Sequence, residues 1–198
     1  MSGTSSAAGA VLELLVMLVA DPRSGVLCAL LLLAALIDAR THRIPNRLVI
    51  AGLCYALAID ALRPHFGQWP LVMALGGLAT GFLLMLPMHL LGAMGAGDVK
   101  LMAMAGSFLG ASGTVAALLW TWAIGGALAI VHVLRHGTAR RFCRNVASLL
   151  QGGFLDAAVG VRPQLRIKPG TSAGRLPYGV SIALGTSAHL VSQQLGFT

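Results

Sequence analysis

The sequence predicts an all-α fold, a polytopic membrane helix bundle with about six transmembrane helices of ~20 residues each. Three observations carry that prediction. Of the 198 residues, 57% are hydrophobic, and adding the 25 glycines brings the apolar share to roughly 70%, against ~45–50% in soluble domains. Charged residues make up only 10%, far below the ~25% of soluble domains. So short a soluble chain could not hide that much apolar surface, and disorder needs the opposite composition.

The spans follow in order as 23–42, 48–63, 69–91, 98–112, 114–134 and 177–196. The first runs into Ile44-Pro45-Asn46, where Pro45 disfavours helical geometry at Ile44 and turns the chain. The fourth is short, with a polar start at Gly97-Asp98. The sixth opens on Pro177, which suits a first helical turn. Residues 7–20 are apolar but short and carry Glu13; they either lie in the interface or form a seventh span, and we take the interfacial reading. The chain then divides into an N-terminal interfacial segment, 1–22, and a transmembrane domain, 23–198, with a long polar loop at 135–176. Inside that loop, Val146–Leu150 and Phe154-Leu155 sit among arginines, a pattern suited to a helix on the membrane surface. No cleavable signal peptide is expected, because the N-terminus lacks a basic region and the run to residue 20 ends in Asp21-Pro22-Arg23.

The net charge is +8, but the bases lie between long apolar runs rather than on a solvated face. Twelve of the 14 Lys and Arg fall in the loops at 40–47, around Lys100 and at 135–175, leaving only Arg23 and Arg63 for the others. With spans alternating in direction, all twelve face the cytoplasm. The basicity therefore encodes topology and attraction to anionic inner-leaflet lipids, not nucleic-acid binding. Cys28, Cys54 and Cys143 form no CxxC and no Cys/His cluster, so neither a disulfide framework nor a zinc site is expected.

The six acidic residues can be taken one by one. Glu13, Asp21 and Asp60 lie near outer ends of spans or in the N-terminal segment, and Asp156 lies in the long loop; all four read as solvated or interfacial. Asp38 and Asp98 differ. Asp38 falls inside the cytoplasmic end of span one, roughly 7 Å above Arg43 at 1.5 Å per residue. Asp98 starts span four, which rises from the same side. The two carboxylates thus share one inner-leaflet layer, sixty residues apart in sequence, and an ionisable residue within a span is by default a functional candidate. Asp98 also follows the glycine-rich run Gly92–Gly97, where missing side chains let backbones and an extended peptide approach. Gly106, Gly110 and Gly125-Gly126 read as packing positions.

These residues resemble the prepilin peptidase family, membrane aspartic proteases of the GxGD type. The matching pieces are Asp38 with Ile44-Pro45-Asn46, then Gly95-Ala96-Gly97-Asp98-Val99-Lys100-Leu101, and Leu176-Pro177-Tyr178-Gly179 at the last span. By resemblance, Asp38 and Asp98 take the places of the two catalytic aspartates, with Gly95, Gly97, Lys100, Pro45, Asn46, Pro177, Tyr178 and Gly179 shaping the site or binding substrate. The resemblance implies an endopeptidase that removes a short basic leader from type IV prepilins or pseudopilins at the inner, cytoplasmic membrane face. Larger members carry an N-terminal region with paired CxxC cysteines associated with N-methylation. This chain is similar to the short, peptidase-only members of Flp (tight adherence) systems, so methyltransferase activity is not expected.

Such chemistry needs two carboxylates sharing a proton and no metal or organic cofactor. Helix ends suggest the division of labour: Asp98 at an N-terminus is favoured as the anionic base, Asp38 near a C-terminus as the acid, although a coupled pair titrates as a unit. His42 either tunes Asp38 from four residues away or sits at headgroup level. Lys100 is expected to anchor its span, and His89, Met85, Met88, Met94, Met102 and Met104 to pack near the site. Two other classes use the same features, a proton-coupled transporter with paired intramembrane acids and a non-catalytic pilus or secretion assembly subunit.

Overall fold

A computed structural model describes residues 21–62, 70–90, 94–135 and 178–196. Among these every regular element is a helix: α1 Pro22–Thr41, α2 Asn46–Leu62, α3 Pro70–Leu90, α4 Ala96–Arg135 and α5 Tyr178–Gln194. Three of them, α1, α3 and α4 as far as Val131, are long and apolar enough to cross a membrane. Many of their large side chains point outward, including Leu32, Leu36, Leu83, Leu119 and Ile130. That arrangement suits lipid, which solvates apolar surface as well as a protein core does. Residues 7–20, Pro177 and the 135–176 loop beyond Arg135 lie outside the described residues.

Local chemistry sets the helix limits. Asp21 caps α1, its carboxylate accepting from the Ser24 and Arg23 amides, and Pro22 fills the first helical position. His42 closes α1 in the left-handed region at φ 50°, its amide donating to the Asp38 carbonyl at 2.8 Å. The inward face of α1 reads Leu27, Leu31, Ala34, Ala35 and Asp38, the spacing of one helical stripe.

Of the expected helices, the fourth and fifth meet with no loop between them. Spans four and five form one continuous run, α4, broken only at Gly110 with φ 73° and ψ 176°. That conformation is open to glycine and strained for other residues, so Gly110 is a turning point rather than a packing position. Its neighbours show that the chain doubles back there. Gly113 lies against His189, Thr121 against Gly185, and Gly125 against Ser181, an antiparallel register with α5. Residue 125 thereby returns to the end of the bundle where α4 began, although a straight helix would carry it about 40 Å from Asp98. No coil residue separates the arms, so both are numbered within α4.

Small residues let the helices approach. Gly77 of α3 meets Gly106 of α4 backbone to backbone, and a Cβ on Gly81 would lie 2.7 Å from the Met102 carbonyl oxygen. Met85, Met94, Met102 and Met104 are buried in the resulting core and Met88 packs against it. Gly126, in contrast, has nothing within 4 Å of where its Cβ would be and faces outward.

Far from Asp38, the bundle holds a carboxylate that is not solvated as the sequence suggested. Asp60 is 5% exposed and pairs with Arg23 through both oxygens, the second bond measuring 3.1 Å. Arg23 also donates to the carbonyls of Phe108 at 3.0 Å and Ser107 at 3.2 Å. These carbonyls end the first arm of α4, so one guanidinium neutralises Asp60 and caps that arm. Asp21 is exposed, as expected.

Candidate active site

At the opposite end, α1, α4 and α5 bring Asp38, Asp98 and Gly179 together. Asp38 sits in the last turn of α1, 5% exposed, and its Oδ2 accepts the Gly179 amide at 2.8 Å. The approach requires glycine: a Cβ on residue 179 would lie 2.9 Å from Oδ2 and 3.1 Å from Cγ of Asp38. Gly179 belongs to the first turn of α5, so Asp38 ends its own helix while resting on the start of another. The contrast drawn from helix ends in the sequence therefore does not hold. Asp38 also faces a positive helix terminus, and the two aspartates are not set apart as acid and base on that ground.

Asp98 is the third residue of α4 and 8% exposed. Its Oδ2 accepts the Gly95 amide at 3.0 Å, while its own amide donates to the Gly95 carbonyl at 3.2 Å. This is half of a capping box, with the acid reaching back to the amide of the residue before the helix. The other half is missing because glycine has no side chain to return the bond. Asp38 and His89 both lie within electrostatic reach of Asp98, so the three share one neighbourhood. Tyr178 also lies within reach of the Asp98 charge. Among the described residues, neither Asp38 Oδ1 nor Asp98 Oδ1 accepts a hydrogen bond.

The other expected residues fall around this pair. Gly97 packs against Ile44, where a Cβ would stand 3.3 Å from the isoleucine Cβ. Lys100 is exposed and donates to Asn46 Oδ1 at 3.1 Å. The Ile-Pro-Asn turn is thus docked on the glycine-rich turn at two points, and Lys100 joins α4 to α2 rather than to Asp98. Pro45 is exposed at the start of α2. The side chain of His42 is exposed, and its recorded bond to Asp38 is through the backbone. Sequence reasoning did not foresee Gly179 as the partner of Asp38, since nothing in local spacing links positions 141 residues apart. It also left His89 as packing, whereas Nδ1 of His89 bonds the Met94 carbonyl at 3.1 Å.

Two buried carboxylates within electrostatic reach of each other, each anchored through one oxygen by an uncharged amide, are groups able to serve as acid and base. Among the described residues no group of three His, Cys, Asp or Glu is placed to hold a metal. A model of the type IV leader peptidase family matches residues 25–130, more than half of the chain. The chain belongs to the type IV leader peptidase family. No curated protein and no solved structure matches it. The matched segment holds Asp38, Asp98 and both turns around them, whereas Tyr178 and Gly179 lie beyond it and reach the pair through folding.

Proposed function

We propose that this leader peptidase family member is a membrane-embedded aspartic endopeptidase with Asp38 and Asp98 as its catalytic pair. The single observation that carries the reading is the convergence of these two buried acids from α1 and α4, each held by a backbone amide. In the proposed reaction one carboxylate is ionised and takes a proton from water as the water oxygen attacks the scissile carbonyl. The other is protonated and donates to the carbonyl oxygen. Collapse of the tetrahedral intermediate breaks the C–N bond, with a proton passing to the leaving amine.

The proposed substrates are Flp-like type IV prepilins or pseudopilins, cut between a basic leader and an apolar helix. The positive loops around Arg40–Arg47 and Lys100 support a site on the cytoplasmic side of the bacterial inner membrane, among anionic lipids and with no role for nucleic acid. The absence of any CxxC among the three cysteines supports peptidase activity without N-methylation. The test is Asp38→Asn and Asp98→Asn in the full chain, co-expressed with a Flp-type prepilin. Both variants should insert at wild-type levels while unprocessed precursor accumulates. Wild-type processing by both would refute the assignment.

A further inference from the structure

His89 stands in the last turn of α3, half-buried, and belongs to none of the motifs above. Its Nδ1 lies 3.1 Å from the Met94 carbonyl oxygen. A carbonyl only accepts, which assigns the proton to Nδ1 and leaves Nε2 without one in the neutral ring. The carbonyl of Met94 and the amide of Gly95 are two sides of one peptide group. That same peptide donates from Gly95 N to Asp98 Oδ2 at 3.0 Å. Because a peptide is planar, its orientation is one variable, and fixing the carbonyl fixes the direction of the amide hydrogen. Donation to the carbonyl also polarises the amide and strengthens the bond it makes.

We propose that His89 is a positioning residue for Asp98, acting through the Met94–Gly95 peptide plane. The inference rests on the reading of Asp98 as catalytic. Met94 is 8% exposed, so its carbonyl has little water to replace the imidazole. Without the His89 bond the peptide is free to rotate, and rotation removes the Gly95 amide from Asp98. Gly95, having no side chain, offers no resistance to that rotation. His89 thereby locks the turn whose amide holds Asp98.

The test uses the purified full chain in detergent and a Flp-type prepilin, with kcat and KM measured separately and thermal unfolding followed in parallel. Asparagine places an N–H close to the position of Nδ1, glutamine close to that of Nε2. His89→Asn should retain activity within a few fold of wild type. His89→Gln and His89→Leu should lose about 10- to 100-fold in kcat, the scale of a displacement near 1 Å at a reacting group, with KM little changed. Equal kcat for the Asn and Gln variants, or wild-type kcat for His89→Leu, would overturn the proposal. Should His89→Leu fail to accumulate, the Asn and Gln variants carry the comparison alone. Asp98→Asn separates the two readings: if it stays active, the catalytic assignment fails. If it is inactive while the Asn and Gln variants are indistinguishable, only the role of His89 fails.

Discussion

Replacing Gly179 with alanine should separate activity from stability. Position 179 is helical and its φ is not positive, so alanine meets no backbone strain there. Helix propensity alone favours alanine over glycine by up to ~1 kcal/mol. The new methyl, however, would stand 2.9 Å from Asp38 Oδ2, where ordinary contact begins near 3.4 Å. Asp38 or the start of α5 must therefore yield by about 0.5 Å, and the 2.8 Å bond from the Gly179 amide lengthens. A misplacement of ~1 Å at a reacting group costs about 100-fold in rate. Half that displacement, taken on a logarithmic scale, gives about tenfold, or ~1.4 kcal/mol of transition-state stabilisation.

The assay is steady-state cleavage of a Flp-type prepilin by the purified Gly179→Ala chain, with thermal unfolding on the same sample. The expected result is a kcat about tenfold down with an unfolding midpoint unchanged or slightly raised. A variant that merely damaged the fold would lose both together. Wild-type kcat in Gly179→Ala, with Asp38→Asn inactive, would show that Asp38 does not work from the position in which Gly179 holds it.

Other perturbations test the frame that presents the pair. Arg23→Met strands the buried Asp60 charge, and broken buried pairs cost about 3–5 kcal/mol; the unfolding midpoint should fall well below wild type, and adding Asp60→Leu should recover most of it. Gly77→Ala drives a methyl into the Gly106 carbonyl, whereas nothing lies within 4 Å of a methyl at Gly76, so the first should destabilise by about 1–3 kcal/mol and the second should leave the midpoint within about 0.5 kcal/mol or raise it. Asp21 precedes the membrane-spanning part of α1. Burial pushes its carboxyl up, but hydrogen bonds from the Ser24 hydroxyl and the Ser24 and Arg23 amides outweigh this and hold it below the usual range. A depressed folded value means that the cap stabilises fully above about pH 4 and fades as pH falls further. Unfolding scans should show that acid-side loss in wild type and a flatter profile in Asp21→Asn, which keeps an uncharged cap.

Much of this was legible in the residues because the membrane simplifies the code. Length and hydropathy delimit α1, α2, α3 and α5 to within a few residues of the expected spans, since every buried amide must be satisfied inside its own helix. Asp38 and Asp98 could be set at one depth by counting residues from the helix ends. What counting could not supply was azimuth and partner. Asp60 looked interfacial because it ends a span; only the three-dimensional meeting of α1, α2 and α4 turns it inward onto Arg23. Gly110 and Gly126 look alike in sequence, yet one reverses the chain and the other faces outward. The helix-end contrast between the two aspartates failed for the same reason: each residue's own helix is visible in sequence, but the start of α5 against Asp38 is not.

Asp60 and the Asp38–Asp98 pair show two solutions to one problem, a carboxylate within an apolar bundle. Isolated burial of such a charge is prohibitive, so donors must be provided. At Asp60 the donor is a guanidinium that engages both oxygens, a bidentate pairing that neutralises the charge and occupies the lone pairs. That acid is spent on holding α1, α2 and α4 in register. At the other end each acid receives a bond to one oxygen from a neutral amide. An amide fixes position without cancelling charge, and at Asp38 it comes from Gly179, whose missing side chain lets the backbone approach closely. A lysine or arginine in the place of either amide would bind the carboxylate more strongly and hold it ionised. The proposed mechanism needs one of the two protonated, and a full positive charge that stabilises both as anions works against that. On this reasoning Gly179→Arg or Gly95→Lys should abolish prepilin cleavage even where the chain folds. A cleavage-competent Gly95→Lys variant would show that Asp98 does not need an uncharged partner.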